Sequence, residues 1–252
     1  MPERILSCYE PFADHYHLIF DDWDQAIERQ ARILNKLLAA QGCPLKILDC
    51  ACGIGTQALG LARYGHRVVA SDLSQAAVSR ATREAERHRL AISFHVSDMT
   101  SMTEIADRDF DVVVAMDNAL PHLSAEQLVR AIKAVSSKLK PNGLFTASIR
   151  DYDALILQRP AMQQPAFYGS EGRRRIVHQV WDWIDEARYT LHLFITTQSD
   201  QEWTTHHFVS EYRALQRIEV SRVLQSTGFQ DVRWLMPPES GFYQPLVVAR
   251  WP

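Results

Sequence analysis

Long apolar runs are missing from this chain of 252 residues. Runs such as Val112-Val113-Val114-Ala115-Met116 fall far short of the roughly 20 residues that a membrane-crossing helix requires. Cysteine is sparse: Cys8, Cys43, Cys50 and Cys52 form no C-x-x-C pair, so neither a metal centre nor a redox centre is expected. Cys50 and Cys52 flank one alanine at a strand end and read as small core filler. There is no basic surplus. A formal net charge of −3 gives no electrostatic reason to expect nucleic acid. The basic cluster Arg173-Arg174-Arg175 reads as a solvated turn. The opening residues Met1-Pro2-Glu3-Arg4 lack the apolar core of a secretory signal, and a cytoplasmic location is expected. Internal repeats and low-complexity tracts are missing too.

What is present is ordinary globular composition, 46% hydrophobic and 23% charged. A sizeable core can form without disulfide or metal. The richest stretch is Ile47-Leu48-Asp49-Cys50-Ala51-Cys52-Gly53-Ile54-Gly55-Thr56-Gln57. An apolar run ends in an acid, passes through Gly-x-Gly and opens into a helix. Glycine lets the backbone turn tightly and lets a ligand approach it. In a parallel α/β sheet, nucleotide-like ligands sit in the crevice beyond such a strand. Asp72 closes the next strand-like run, Arg67-Val68-Val69-Ala70-Ser71, where a carboxylate can accept both hydroxyls of a ribose. Two cofactor classes fit the glycines. Ala58 at the third position of G-x-G-x-x-G/A leaves a nicotinamide dinucleotide open. Asp49 favours S-adenosylmethionine, because a carboxylate repels a pyrophosphate and suits an ammonium group.

The chain alternates strand and helix patterns. Residues 24–40 read as an amphipathic helix capped by Asp24, with Ile27, Ala31, Leu34 and Leu38 on one face. Strands are expected at 45–50, 67–71, 91–96, 110–115 and 144–149, with helices at 55–64 and 74–87 between them. Ser124 and Gln127 have capping-box spacing and open a further helix, stopped by Pro141-Asn142-Gly143. This alternation predicts a doubly wound, Rossmann-like sheet, mostly parallel with its last strand antiparallel and helices on both faces. Residues 151–175 read as loop. Segments 176–184, 188–197 and 202–210 then alternate as a small antiparallel insertion. A helix at 213–227, ended by Gly228, and strands at 230–236 and 243–250 resume the frame. The expected division is 1–43 as a helical flap, 44–150 as the cofactor-binding core, 151–212 as a substrate lid, and 213–252 as the core resumed.

From about residue 44 onward, the order of features resembles a class I S-adenosylmethionine-dependent methyltransferase. The glycine motif, Asp72, Val96-Ser97-Asp98-Met99 and the Phe110-Asp111 strand carry the likeness. It implies S-adenosylmethionine as cofactor, with Asp72 at the ribose, Asp98 at the adenine amine, Met99 against the ring and Leu73 among the cofactor contacts. It also assigns Gly53, Gly55, Asp49, Met116 and the N-terminal aromatic Tyr16 to the cofactor. Met116-Asp117-Asn118-Ala119-Leu120-Pro121-His122-Leu123, followed by Ser148-Ile149-Arg150-Asp151-Tyr152-Asp153, is similar to the glycine/sarcosine N-methyltransferase group. That narrower likeness implies that Asn118 and Arg150 face the substrate, with Tyr152 beside them, Arg150 gripping a carboxylate through paired hydrogen bonds. The chain departs from that group where Asp117 stands in place of glycine, and the insertion does not match it closely.

The expected activity is methyl transfer to a small molecule, with an amine or amino-acid-like nitrogen favoured. A hydroxyl or carbon acceptor would call on a base, for which His122 is the candidate and His206 and His207 are weaker ones. A non-catalytic cofactor-binding protein is the reading from another class. Nothing like Asn-Pro-Pro-Tyr follows the 110–116 strand, which argues against methylation of nucleobase amines. Tyr243 can reach the site from the last hairpin. Tyr152, Tyr168, Trp181, Trp183, Tyr189 and Trp203 concentrate in the lid, and Tyr9, Phe12, Tyr16 and Trp23 in the flap.

Overall fold

The computed structural model describes residues 10–252; Cys8 and Tyr9 lie outside them. Seven strands make the main sheet: β1 (Lys46–Asp49), β2 (Arg67–Asp72), β3 (Ile92–Val96), β4 (Phe110–Ala115), β5 (Leu139–Ser148), β10 (Gln230–Leu235) and β11 (Leu246–Arg250). Their spatial order is β10-β11-β5-β4-β1-β2-β3. The strands from β3 to β5 pair in parallel, and β11 runs antiparallel to both of its neighbours. The chain order reverses between β1 and β4, which opens a crevice at their carboxyl ends.

The central strands are apolar throughout because both of their faces are covered. Ile47, Val112 and Val114 pack with Leu34, Leu38, Ala58 and Leu61, from helices α1 (Trp23–Leu38) and α2 (Thr56–Arg63). The intervening Leu48 and Val113 pack the other way, with Leu128, Ile132, Val220 and Leu224. These come from α4 (Ala125–Lys138) and α6 (Arg217–Ser226). Helix α3 (Gln75–Arg87) follows β2 and is capped by Ser74. The expected capping box of Ser124 and Gln127 is formed. At α1 the cap is Asp22 rather than Asp24; Asp24 lies in the first turn and pairs with Arg63 at 3.1 Å.

The insertion holds more structure than its sequence suggests. Residues 151–175 contain helix α5 (Tyr152–Gln158) and strand β6 (Met162–Tyr168). β6 is the edge of a four-stranded antiparallel meander with β7 (Arg175–Trp183), β8 (Arg188–Ser199) and β9 (Glu202–Arg213). Pro165 hid it. Proline is tolerated on an edge strand at an irregularity, and the β6–β7 register shifts between Gln163 and Ala166. The final segment also differs. A short helix α7 (Pro237–Ser240) precedes a loop at 241–245, and the last strand begins at Leu246.

Gly60 sets how closely α1 lies against α2. A Cβ at Gly60 would stand 2.5 Å from the Ala31 Cβ and 3.0 Å from the Ile27 carbonyl oxygen. Gly60→Ala is therefore expected to destabilise the fold by roughly 1–3 kcal/mol through overpacking. Denaturant melts would check this; an unchanged midpoint would contradict the tight helix contact.

Candidate active site

Two cavities meet at the carboxyl ends of β1, β2 and β4. The first is a crevice floored by the β1–α2 loop. Gly53 and Gly55 have φ of +52° and +97°, conformations that glycine adopts without strain. The Gly53 N–H donates to Asp72 Oδ2 at 2.9 Å, and the Ser74 N–H donates to Oδ1 at 3.0 Å. The Asp72 carboxylate is thereby fixed at the end of β2 with lone pairs to spare. Asp98 accepts from the Thr100 N–H at 2.8 Å, and Met99 lies beside it on the wall. Asp72, Asp98 and Asp117 line this crevice, as do Tyr16, Leu73 and Met116, with no lysine or arginine among the described residues. His122 also lines it, but burial lowers its imidazole to about 4, so it is neutral. The crevice is acidic and suits a cationic ligand; a pyrophosphate would find no counter-charge.

Asp49 is fully buried beneath the glycine loop and is not on the crevice wall. One oxygen accepts from the Ala51 N–H at 3.4 Å, and Oδ2 has no hydrogen-bond partner among the described residues. Burial raises its carboxyl to about 8. Gly55 also stays off the wall and begins α2. Cys50 and Cys52 are buried, and burial pushes both thiols up, as expected of inert core cysteines.

The second cavity, about 690 Å³, lies under the small sheet. Tyr16 and Asp117 line both cavities. Asn118, Arg150 and Tyr243 line the second. Asp117 and Asn118 have φ of +55° and +69°, a left-handed turn that asparagine and aspartate tolerate better than most residues. This accounts for an acid where the similar group carries glycine. The turn is pinned to the end of β5. The Asp117 N–H donates to Ser148 Oγ at 2.7 Å, and the Asn118 N–H donates to the Ser148 carbonyl at 3.1 Å. The Arg150 N–H donates in turn to Asn118 Oδ1 at 3.1 Å.

Arg150 sits in an aromatic box. Its guanidinium donates to Tyr189 Oη and Gln179 Oε1, both at 3.1 Å. It stands 4.8 Å from the Trp181 ring and 5.6 Å from the Tyr212 ring. No carboxylate pairs with it among the described residues. Tyr152, expected at the substrate, is fully buried behind this box. Its hydroxyl accepts from Asn118 Nδ2 and meets Tyr189 Oη, both at 2.9 Å. It positions Asn118 and Tyr189 and does not face the cavity.

His122 lies against Tyr212 with ring centroids 4.2 Å apart. His206 lies tilted against His15, with ring centroids 4.0 Å apart, and His207 meets His192; neither lines the cavities. The sequence reading missed Gln30, Gln57, Gln179 and Tyr212. Gln57 was detectable as a polar residue directly after the glycine motif, in the first turn of α2, where it is buried. The other three are brought in by distant pairings that carry no local signal.

Residues 47–143 match the family model described as a methyltransferase domain. The chain is 28% identical over 156 residues to a glycine/sarcosine N-methyltransferase of Parasynechococcus marenigrum, covering 62% of this chain and 55% of that one. It is 33% identical over 112 residues to a ubiquinone biosynthesis O-methyltransferase of Coxiella burnetii, covering 44% and 46%. The chain thus spans about half the length of the curated relatives it matches. Its fold superposes on that of an S-adenosylmethionine-dependent methyltransferase from Clostridium acetobutylicum with a TM-score of 0.75 at 17% identity, covering 97% of this chain and 99% of that one. Residues 47–143 are thus similar to a methyltransferase domain, and the chain as a whole has the fold of that solved S-adenosylmethionine-dependent methyltransferase.

Proposed function

We propose that this chain is an S-adenosylmethionine-dependent methyltransferase acting on a small molecule that joins an amine acceptor to a carboxylate. One observation carries the reading. An acidic crevice on the glycine loop meets, at Tyr16 and Asp117, a roomy cavity whose Arg150 guanidinium has no carboxylate partner among the described residues.

The residues present fit the cofactor. Asp72 offers two oxygens for ribose hydroxyls. Asp98 and Met99 offer an acceptor and a polarizable face for adenine. The Gly53 surface is open, with nothing within 4 Å of where a Cβ would stand. Asp49, buried beneath the glycine loop and off the crevice wall, supports the loop on which the methionyl end would rest. Bound there, S-adenosylmethionine supplies an electrophilic methyl group for in-line displacement. The chain's own residues hold, orient and dry the reactants, which is the main requirement of such a reaction. Arg150 orients a carboxylate through its planar fork. Phe12, Leu191 and Leu193 on the wall of the larger cavity accommodate an apolar body, so the acceptor can exceed a bare glycine in size. With His122 held neutral and only weakly basic, the site favours an amine, which needs no strong base, over a hydroxyl.

Three outcomes are expected. Asp72→Ala should weaken S-adenosylhomocysteine binding by about 10- to 100-fold, since charged hydrogen bonds contribute about 1.5–3 kcal/mol. Unchanged affinity in calorimetry would remove Asp72 from the cofactor site. Arg150→Ala, and Arg150→Lys which keeps the charge but loses the fork, should bind S-adenosylhomocysteine as the parent does. Both should lose turnover on sarcosine and L-phenylalanine but not on benzylamine; equal losses on all three would refute carboxylate recognition. If 4-hydroxybenzoate is the acceptor instead and His122→Ala abolishes its turnover, the reaction is O-methylation with a histidine base.

The third outcome concerns Asp49. Its carboxyl is raised from 3.8 to about 8 in the folded chain, so folding takes up a proton between those values. The linked stability is fully present below about 4 and is lost as pH rises towards about 8. His122 acts oppositely, because its value falls from 6.5 to about 4 and stability drops as pH falls through that window. Asp49→Asn should therefore lose less stability than the parent between about pH 6 and about pH 8. Equal losses in denaturant melts would contradict the buried-carboxyl account.

A further inference from the structure

Asp117 stands at the point where the two cavities join. Its Oδ1 accepts from Tyr243 Oη at 2.6 Å, and its Oδ2 accepts from Gln57 Nε2 at 2.9 Å. Gln57 Nε2 also donates to Gln30 Oε1 at 2.6 Å, so the carboxylate is aimed by groups from α1, α2 and the 241–245 loop. These donors orient the charge without neutralising it. No lysine, arginine or histidine pairs with Asp117 among the described residues. Gln30 Nε2 is buried on the wall of the larger cavity and has no partner there either. Arg150, on the same wall, is a cation without a carboxylate partner among the described residues. One cavity therefore presents two oriented, uncompensated charges of opposite sign.

We infer that Asp117 binds the acceptor's ammonium group and accepts its proton, so that the substrate is a zwitterion held between Asp117 and Arg150. This rests on the N-methyltransferase reading above and adds to it a residue and a substrate charge pattern. In the proton step the ammonium N–H bond breaks and its electron pair stays on nitrogen. An O–H bond forms on Asp117. The freed lone pair is the nucleophile, facing the crevice through the opening that Asp117 lines. Burial raises the Asp117 carboxyl despite its hydrogen bonds to Tyr243 and Gln57, which brings it closer to the range of an amine. Around it, Tyr16 from the N-terminal segment and Tyr243 from the last loop are phenols held protonated by burial. Asp49 at the end of β1 is itself raised, and Asp72 from β2 and Arg150 from just beyond β5 act on Tyr16.

The test uses Asp117→Asn, which keeps the size and one of the two acceptor oxygens, and Asp117→Gly, which suits the left-handed backbone. Acceptors are sarcosine, L-phenylalanine, benzylamine and 4-hydroxybenzoate. At about pH 7 both variants should bind S-adenosylhomocysteine normally but turn over the amines roughly 100-fold more slowly, the scale of a lost proton acceptor. The deficit should shrink as pH rises towards about 10, where free amine supplies the lone pair. A structural defect would not recover in this way. If the parent methylates amines and both variants match it at every pH, this inference falls and the function stands. If the variants weaken S-adenosylmethionine but not S-adenosylhomocysteine, the carboxylate faces the sulfonium and the inference also falls. A parent that methylates only 4-hydroxybenzoate, or nothing in the set, overturns the amine reading and this inference together.

Discussion

The hydrogen-bonded joint between the ends of β4 and β5 fixes the rest of the site. Ser148 accepts the Asp117 N–H on its hydroxyl and the Asn118 N–H on its carbonyl, and donates its own hydroxyl to Gln244 at 2.8 Å. Two successive left-handed residues cost roughly 1–2 kcal/mol each, so the turn persists only because these bonds determine it. The result is that one short turn faces both cavities with Asp117 and the larger one with Asn118. Arg150, two residues beyond Ser148, is held to the same turn through Asn118 Oδ1. Separation of the two cavities and contact between them come from one piece of backbone.

The charges follow that division. The crevice gathers carboxylates, with no lysine or arginine on its wall among the described residues. The larger cavity carries the guanidinium among Trp181, Tyr189 and Tyr212. Stacking and neutral hydrogen bonds keep Arg150 in place without consuming its charge. A carboxylate partner in the protein would have done so, and a substrate anion would then compete for a charge already paired. Asp117 mirrors it, held by a phenol and an amide with no cationic side chain paired to it among the described residues.

Much of this was legible in the sequence. Strands buried on both faces announce themselves as continuous apolar runs, as at 110–115, and helix starts at Ser74 and Ser124 carry their caps beside them. The glycine loop, Asp72 and the Asp98-Met99 pair lie in local motifs, so their arrangement around one crevice could be anticipated. Three features could not. β6 is masked by Pro165. The partners of Asp117 come from 60 and 126 residues away in sequence. The box around Arg150 depends on the pairing of β7, β8 and β9, which sets Trp181 opposite Leu191 and Tyr189 opposite Tyr212. Asp49 and Tyr152 show the converse. Their motifs suggest contact with ligands, whereas burial leaves both behind the cavity walls.

The most direct measurement of the central claim is a crystal structure of the chain with S-adenosylhomocysteine. The account predicts adenine beside Met99, ribose hydroxyls on Asp72 and the sulfur at the junction lined by Tyr16 and Asp117, with the Arg150 cavity left to the acceptor. A nucleoside lodged against Arg150, or a ribose out of reach of Asp72, would contradict the division of the site into donor crevice and acceptor cavity.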